Sequence, residues 1–284
     1  MKKLIQRLLI FFIGVPLIIA LVILFPQKNH LALNGLIIIL SALGAVEFAE
    51  ILKKRGPSIA PVEAALLGSL SPIAMTLMVS FKVNGQIIPG LFIVGASWLL
   101  VSRVFSREAE FPGIINYMAA GFSVMIYPGL FVAWLIRMAL FPHSDLVILI
   151  FLLTVFANDS LAWAAGMLFG RGNQGIFKAS PHKSIAGYTG GCIASVLVCV
   201  WAVYMVPQVF NTELLPKAAA GIILGLISAA AADLGDLAES ALKRSADIKD
   251  SGVLIPGRGG ILDSLDSIAL TAPVFYVFYR LFFY

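Results

Sequence analysis

Charge is what this chain has least of. Asp, Glu, Lys and Arg make up 12% of its 284 residues, where a soluble domain carries about 25%. No polar stretch exceeds about thirty residues, so no soluble domain can be cut out of it. Cysteine is nearly absent. Cys192 and Cys199 lie seven apart on one face of an apolar segment, where they read as small core hydrophobes. That excludes a disulfide framework, and with no HExxH and no Cys/His cluster it excludes the usual zinc sites. There is no Walker A sequence. Gly170-Arg171-Gly172-Asn173-Gln174-Gly175 matches G-x-G-x-x-G literally, but it follows a membrane helix and not a strand, so the dinucleotide fingerprint lacks its context. Asn158-Asp159-Ser160 is a formal glycosylation sequon too deep in an apolar run to be one.

What the chain has is apolar length: 60% of its residues are hydrophobic. Runs of about 17–25 apolar residues predict an all-α polytopic integral membrane protein with about nine spanning helices. They are Leu4–Phe25, Leu31–Leu52, Ser58–Phe81, Ile88–Val104, Ile114–Leu140, Leu146–Phe169, Ile185–Val206, Leu214–Leu242 and Ile261–Phe283. The first run is too long for a signal-peptide core and is expected to be retained. Five helices form an N-terminal region, 1–145. The rest, 146–284, form the expected catalytic region.

The connections alternate in charge. With the N-terminus inside, inner segments hold 15 of the 20 basic residues, among them Lys53, Lys54, Arg55, Arg103, Arg107, Arg171 and Lys178. The positive-inside rule then places the N-terminus and the long loops 170–184 and 243–260 in the cytoplasm. The outer loops are short, so chemistry belongs on the inner side. Compact length without a targeting extension points to a bacterial cytoplasmic membrane.

Several acids lie within apolar segments. Asp159 sits about 15 Å below the inner surface, where a carboxylate faces a polar cavity or a partner. A helix–helix pair satisfies it as well as a functional role does. The apolar run Ala218–Ala232 is about 22 Å long and cannot cross about 30 Å of hydrocarbon. Its helix must continue through Asp233, Asp236, Glu239 and Ser240. Asp233, Asp236, Ser240 and Lys243 then form one polar stripe, which a cavity open to the cytoplasm would accommodate; a helix end emerging into water is the alternative. Asp263 and Asp266 share a face in the first turn of the last helix, where the helix dipole alone would explain one of them. With Asp236 they could make an oxygen site for Mg²⁺. Glu47 is deep enough that a lipid-pocket role and a structural one are not separable. Glu50 is expected to pair with Lys53 or Lys54.

The tract from Ser240 to Asp266 concentrates basic groups, acids and glycines. It reads as a membrane-embedded site handling nucleotide and lipid phosphates. Ser240-Ala-Leu-Lys243-Arg244, Lys249-Asp250-Ser251-Gly252, Pro256-Gly257-Arg258-Gly259-Gly260 and Asp263-Ser264-Leu265-Asp266 resemble the signature of phosphatidate cytidylyltransferases. So do Gly235-Asp236-Leu237-Ala238-Glu239-Ser240, Asn158-Asp159-Ser160 and Ser180-Pro181-His182-Lys183-Ser184. The resemblance covers the chain from about residue 155; the N-terminal half resembles the family only in hydropathy. Three departures stand out: Arg258 replaces the usual His, Ser264 the usual Arg, and Ile185-Ala186-Gly187 lacks the usual glutamate.

The resemblance implies transfer of a cytidylyl group from CTP to phosphatidic acid, giving CDP-diacylglycerol and pyrophosphate, with Mg²⁺ and a second cation. It implies Asp236 and Asp263 as principal metal ligands, with Asp266 and Asp233 weaker. Lys183, Lys243, Arg244, Lys249 and Arg258 would bind phosphates. Asp159 would hold the second cation or orient Lys183, with Asn158 and Ser240 beside the substrates. Asp250, Gly259 and Gly260 would shape the loop. The partners implied are the two substrates, the lipid bilayer and a second copy as a homodimer, with no nucleic acid. The alternatives are an ion- or proton-coupled transporter and a catalytically divergent paralogue. A CDP-alcohol phosphotransferase is disfavoured, because its Asp-Gly…Ala-Arg…Gly…Asp motif is absent.

Overall fold

A computed structural model gives the fold, describing residues 2–56, 58–104, 108–255, 257 and 259–284, and the side chains of these except 2–11 and 108–110. Among the described residues there are helices and two isolated β-bridges, and no strands. The helices are α1 (Lys2–Leu24), α2 (Gln27–Lys53), α3 (Pro61–Phe81), α4 (Ile87–Val101), α5 (Ile114–Val124), α6 (Val132–Arg137), α7 (Ser144–Phe169), α8 (Ile185–Met205), α9 (Lys217–Ser245) and α10 (Leu262–Phe283). Among the described residues, seven segments are long and apolar enough to cross a membrane: α2, α3, Phe111–Leu140, α7, α8, α9 and α10. The protein is therefore multi-pass. Two shorter apolar helices, Phe12–Leu24 and Ile87–Val101, fall where the first and fourth spans were expected, so the count of nine is not reached among the described residues.

The chain divides into two compact units. The first is Met1–Ala139 with Leu242–Leu265; the second is Leu140–Ala241 with Asp266–Tyr284.

In the first unit, α2 and α3 form a packed pair. At its start α2 carries three left-handed residues, Lys28, Asn29 and His30, and Asn29 Nδ2 donates to the Val79 carbonyl at 2.8 Å. The span expected as one helix over Ile114–Leu140 is instead broken. It runs as α5, a π-helical turn Met125–Phe131, α6 and a 3₁₀ turn. Pro128 lies in the π turn and has no N–H to give the ladder. The Ser41 hydroxyl reaches the Pro128 carbonyl and, at 3.0 Å, the Gly68 carbonyl. The core of this unit includes Ala45, Phe48, Leu67, Leu99, Tyr117, Val124 and Leu262.

In the second unit, α7 and α8 pack along their lengths. A Cβ on Gly191 would sit 2.9 Å from Asn158 Oδ1, so only glycine admits this approach. Gly221 and Gly225 of α9 meet the α8 backbone at Val200 and Val196 in the same way. Small residues spaced by four let membrane helices approach, because lipid offers no hydrophobic drive for association. Cys192 and Cys199 are free thiols; Cys199 is buried, as a core reading requires, and Cys192 is half-buried.

Candidate active site

Helix α9 is 29 residues long and carries Asp233, Asp236, Glu239, Ser240 and Lys243 within one continuous helix, as the shortness of its apolar run demanded. Its register puts Ser240 one turn after Asp236, and the Ser240 hydroxyl donates to Asp236 Oδ1 at 3.3 Å. Lys183 comes from the loop between α7 and α8. There a bridge pairs Gln174 with Ser184, and the Ser184 hydroxyl caps α8 by accepting from Gly187 N at 3.1 Å. Held by this frame, Lys183 Nζ reaches Asp236 Oδ2 at 2.5 Å, with both side chains about 30% exposed. The Lys183 ammonium also lies 5.4 Å from the centroid of the Tyr188 ring. Phe177 packs edge-on against that ring.

Asp159, Asp233, Glu239 and Asp266 form a polar cluster in the second unit. Asn158 Nδ2 donates to Asp233 Oδ1 at 3.4 Å, and the Ser195 hydroxyl donates to Asn158 Oδ1 at 3.2 Å. The Ser267 hydroxyl donates to Asp159 Oδ1 at 3.2 Å. Asp266 is buried and accepts from Ser267 N at 2.6 Å. Its like-charged neighbours are Asp236, Glu239 and Asp159. Glu239 itself is fully buried.

The first unit holds the remaining signature residues. Lys243 Nζ lies 2.5 Å from Asp263 Oδ1, with side chains 12% and 8% exposed. The other oxygen of Asp263 accepts from Ser251 N at 3.0 Å, Ser251 Oγ at 2.9 Å and Gly260 N at 2.7 Å. Ile255 and Gly259 exchange backbone hydrogen bonds at 2.8 and 3.0 Å, closing a tight turn. Gly257 and Gly259 have φ of 77° and 117°, a region that favours glycine. Arg244 donates to the Ile248 carbonyl at 3.2 Å. Arg244, Lys249 and Asp250 are exposed. Arg258 lies outside the described residues.

Two participants were not singled out from the sequence as site residues. Ser251 joins Asp263 as described, and its Oγ also lies 3.2 Å from Glu47 Oε2, so its single hydroxyl hydrogen is shared between the two carboxylates. Glu47, from α2, further accepts from Ile261 N at 3.0 Å and Leu262 N at 2.9 Å. The only signal for Glu47 was its depth in an apolar helix. The predicted pairing of Glu50 with Lys53 is present at 3.6 Å on the surface.

Among the described residues, no three His, Cys, Asp or Glu side chains are grouped as a metal site. Asp263 belongs to the first unit, and Asp233, Asp236 and Asp266 to the second. Asp236 and Asp263 each hold a lysine ammonium. The charged groups that bear on Asp266 are carboxylates, the ligand type a hard divalent cation takes.

The sequence places these residues in known company. The family described as Cytidylyltransferase family matches residues 5–282. The uncharacterized protein YnbB of Escherichia coli (strain K12) is 30% identical over 195 residues, 67% of this chain and 63% of YnbB. A phosphatidate cytidylyltransferase of Haemophilus influenzae is 34% identical over 202 residues, 66% of this chain and 68% of that protein. One from Rickettsia typhi is 31% identical over 209 residues, 68% of this chain and 88% of that protein. With a match running almost from end to end, the chain belongs to the cytidylyltransferase family.

Proposed function

We propose that this protein transfers a cytidylyl group from CTP to phosphatidate, releasing pyrophosphate and forming CDP-diacylglycerol. The observation that carries this reading is the pairing of signature lysines with signature aspartates, Lys183 with Asp236 and Lys243 with Asp263, each at 2.5 Å. Family membership and the relatives named phosphatidate cytidylyltransferase support it. They favour neither a transporter nor a divergent paralogue.

An oxygen of the phosphatidate phosphate attacks the α-phosphorus of CTP. A new P–O bond forms, the bond to the bridging oxygen of the β-phosphate breaks, and pyrophosphate leaves with that electron pair. Two anions must approach, so positioning and charge neutralisation make up most of the catalysis. Lys183 and Lys243 are already oriented by carboxylates and exchange those partners for phosphate oxygens. Arg244, Lys249 and Arg258 add cationic contacts; an Arg at 258 suits phosphate because its guanidinium matches two oxygens at once. Mg²⁺ would supply charge neutralisation for the leaving pyrophosphate; the aspartates proposed as its ligands are Asp236 and Asp266, with Asp233, in the second unit and Asp263 in the first. Asp159 is proposed to hold a second cation. The 15 basic residues expected on the inner side favour an anionic leaflet. They support a cytoplasmic-membrane setting with the N-terminus and catalytic loops inside, where CTP arrives from the cytosol. A homodimer is proposed on the family resemblance alone.

The test is pyrophosphate release by purified protein in detergent with CTP, phosphatidic acid and Mg²⁺, beside Asp263→Asn. Release that depends on both substrates and is lost in the variant supports the reading. No release from folded protein overturns it.

A further inference from the structure

The signature motifs all lie in the C-terminal half, yet the loop that carries them is fastened to a residue far upstream. Glu47 is 7% exposed, deep within α2. Both of its oxygens are engaged: Oε1 by Ile261 N, and Oε2 by Leu262 N and the Ser251 hydroxyl. These donors come from the two ends of one segment, the start of the Ser251–Gly260 loop and the start of α10. The space around the carboxylate is closed by glycine. A Cβ on Gly252 or Gly260 would run into the Glu47 carboxyl group, so both positions must remain bare for it to enter. Ser251 then passes the connection on: its backbone N–H donates to Asp263 Oδ2, its one hydroxyl hydrogen is shared between Glu47 and that same oxygen, and Asp263 Oδ1 holds Lys243.

We infer that Glu47 is a positioning residue for the active-site loop, acting through Ser251 on Asp263 and Lys243. It contacts the backbone at the start of α10, and its effect on phosphate chemistry runs through those two side chains. A buried acid tied to two backbone amides and a shared hydroxyl fixes a loop more tightly than neutral contacts do, because hydrogen bonds to a carboxylate are the stronger kind. In a chain with so few charges, a carboxylate at this depth needs such partners. The catalytic consequence rests on the cytidylyltransferase reading; the structural one does not.

The experiment uses the full chain in detergent, with Glu47→Gln, Ser251→Ala and, as a control on the same helix, Glu50→Gln. Glu47→Gln keeps the size but turns one acceptor into a donor facing the Ile261 or Leu262 amide. Hydrogen–deuterium exchange over residues 249–263 is expected to accelerate about 10-fold or more in Glu47→Gln, while exchange in α7 and α8 is unchanged. Activity is expected to fall about 10- to 100-fold in kcat with KM for CTP within about threefold, since a supporting carboxylate acts on the geometry of the reacting groups. Ser251→Ala should reproduce both effects in smaller measure, and it answers the question if Glu47→Gln does not fold. Glu50→Gln should change neither. Unchanged exchange over 249–263 overturns the inference, as does faster exchange with unaltered kcat. Faster exchange in Glu47→Gln, when the wild-type protein itself never releases pyrophosphate, keeps the loop clamp and overturns the proposed function instead.

Discussion

Lys243 and Asp263 meet at 2.5 Å across a loop of nineteen intervening residues, both almost withdrawn from solvent. Each is the other's charge partner, and Asp263 spends its second oxygen on three further donors. Breaking such a pair from one side strands a charge, at a cost of about 3–5 kcal/mol. Lys243→Met is therefore expected to lower thermal stability and remove cytidylyltransferase activity. The double variant Lys243→Met/Asp263→Asn should melt higher than the sum of the two single losses implies. A detergent-phase melting series across the four proteins tests this, and strict additivity would contradict it.

The two upstream acids of α9 should not be equal. Asp236 holds Lys183 and receives Ser240, whereas Asp233 receives only a long contact from Asn158 among the hydrogen bonds described. Asp236→Asn is expected to reduce CDP-diacylglycerol formation by about 100-fold or more. Asp233→Asn should cost distinctly less. Equal losses in radiolabelled product would remove the ranking.

Lys183 is steadied by an aromatic face as well as by a carboxylate. A cation over a ring is worth about 0.5–1 kcal/mol at a partly exposed site. Tyr188→Phe keeps the ring and should keep activity within about twofold. Tyr188→Leu should lose several-fold, read most clearly as a changed response to CTP concentration. If Phe falls as far as Leu, the phenol hydroxyl and not the ring face is what matters.

The proposed divalent dependence has a direct check. Exhaustive chelation should abolish pyrophosphate release, and added Mg²⁺ should restore it. Binding of the metal alone, followed by calorimetry, should weaken in Asp266→Asn. Full activity after chelation would remove the metal from the reading.

Packing in the second unit predicts where the chain tolerates no growth. A Cβ at Gly221 would lie 3.0 Å from the Val200 Cα, and Gly225 is tighter still against Val196. Overpacking typically costs about 1–3 kcal/mol. Gly225→Val should lower the yield of monodisperse protein in size-exclusion chromatography more than Gly35→Val, since nothing lies within 4 Å of a Cβ at Gly35.

Much of the architecture was legible because lipid imposes a simple rule, and runs of apolar residues obey it. The extension of α9 past Ala232 followed from length alone. The break in Phe111–Leu140 was harder to read: Pro128 signals it, but membrane helices often absorb a proline, and the Ser41 contact with the Pro128 carbonyl is a tertiary one between distant parts of the chain. The site was half legible for a related reason. Lys183, Lys243, Asp236 and Asp263 carry local motifs, and the pairing of each lysine with its aspartate follows only from the fold. Glu47 had no motif, since its partners lie more than 200 positions away.

That distance has a consequence for how this chain can be recombined. A gene fusion that takes the first half from one relative and the second half from another would carry every signature motif intact. It would still lose the loop unless the incoming helix offered an acid at the position of Glu47 and the recipient kept Ser251, Gly252 and Gly260. Compatibility of the two halves is therefore an inherited match between one glutamate and three small residues, and grafting experiments should sort viable hybrids from dead ones along that line.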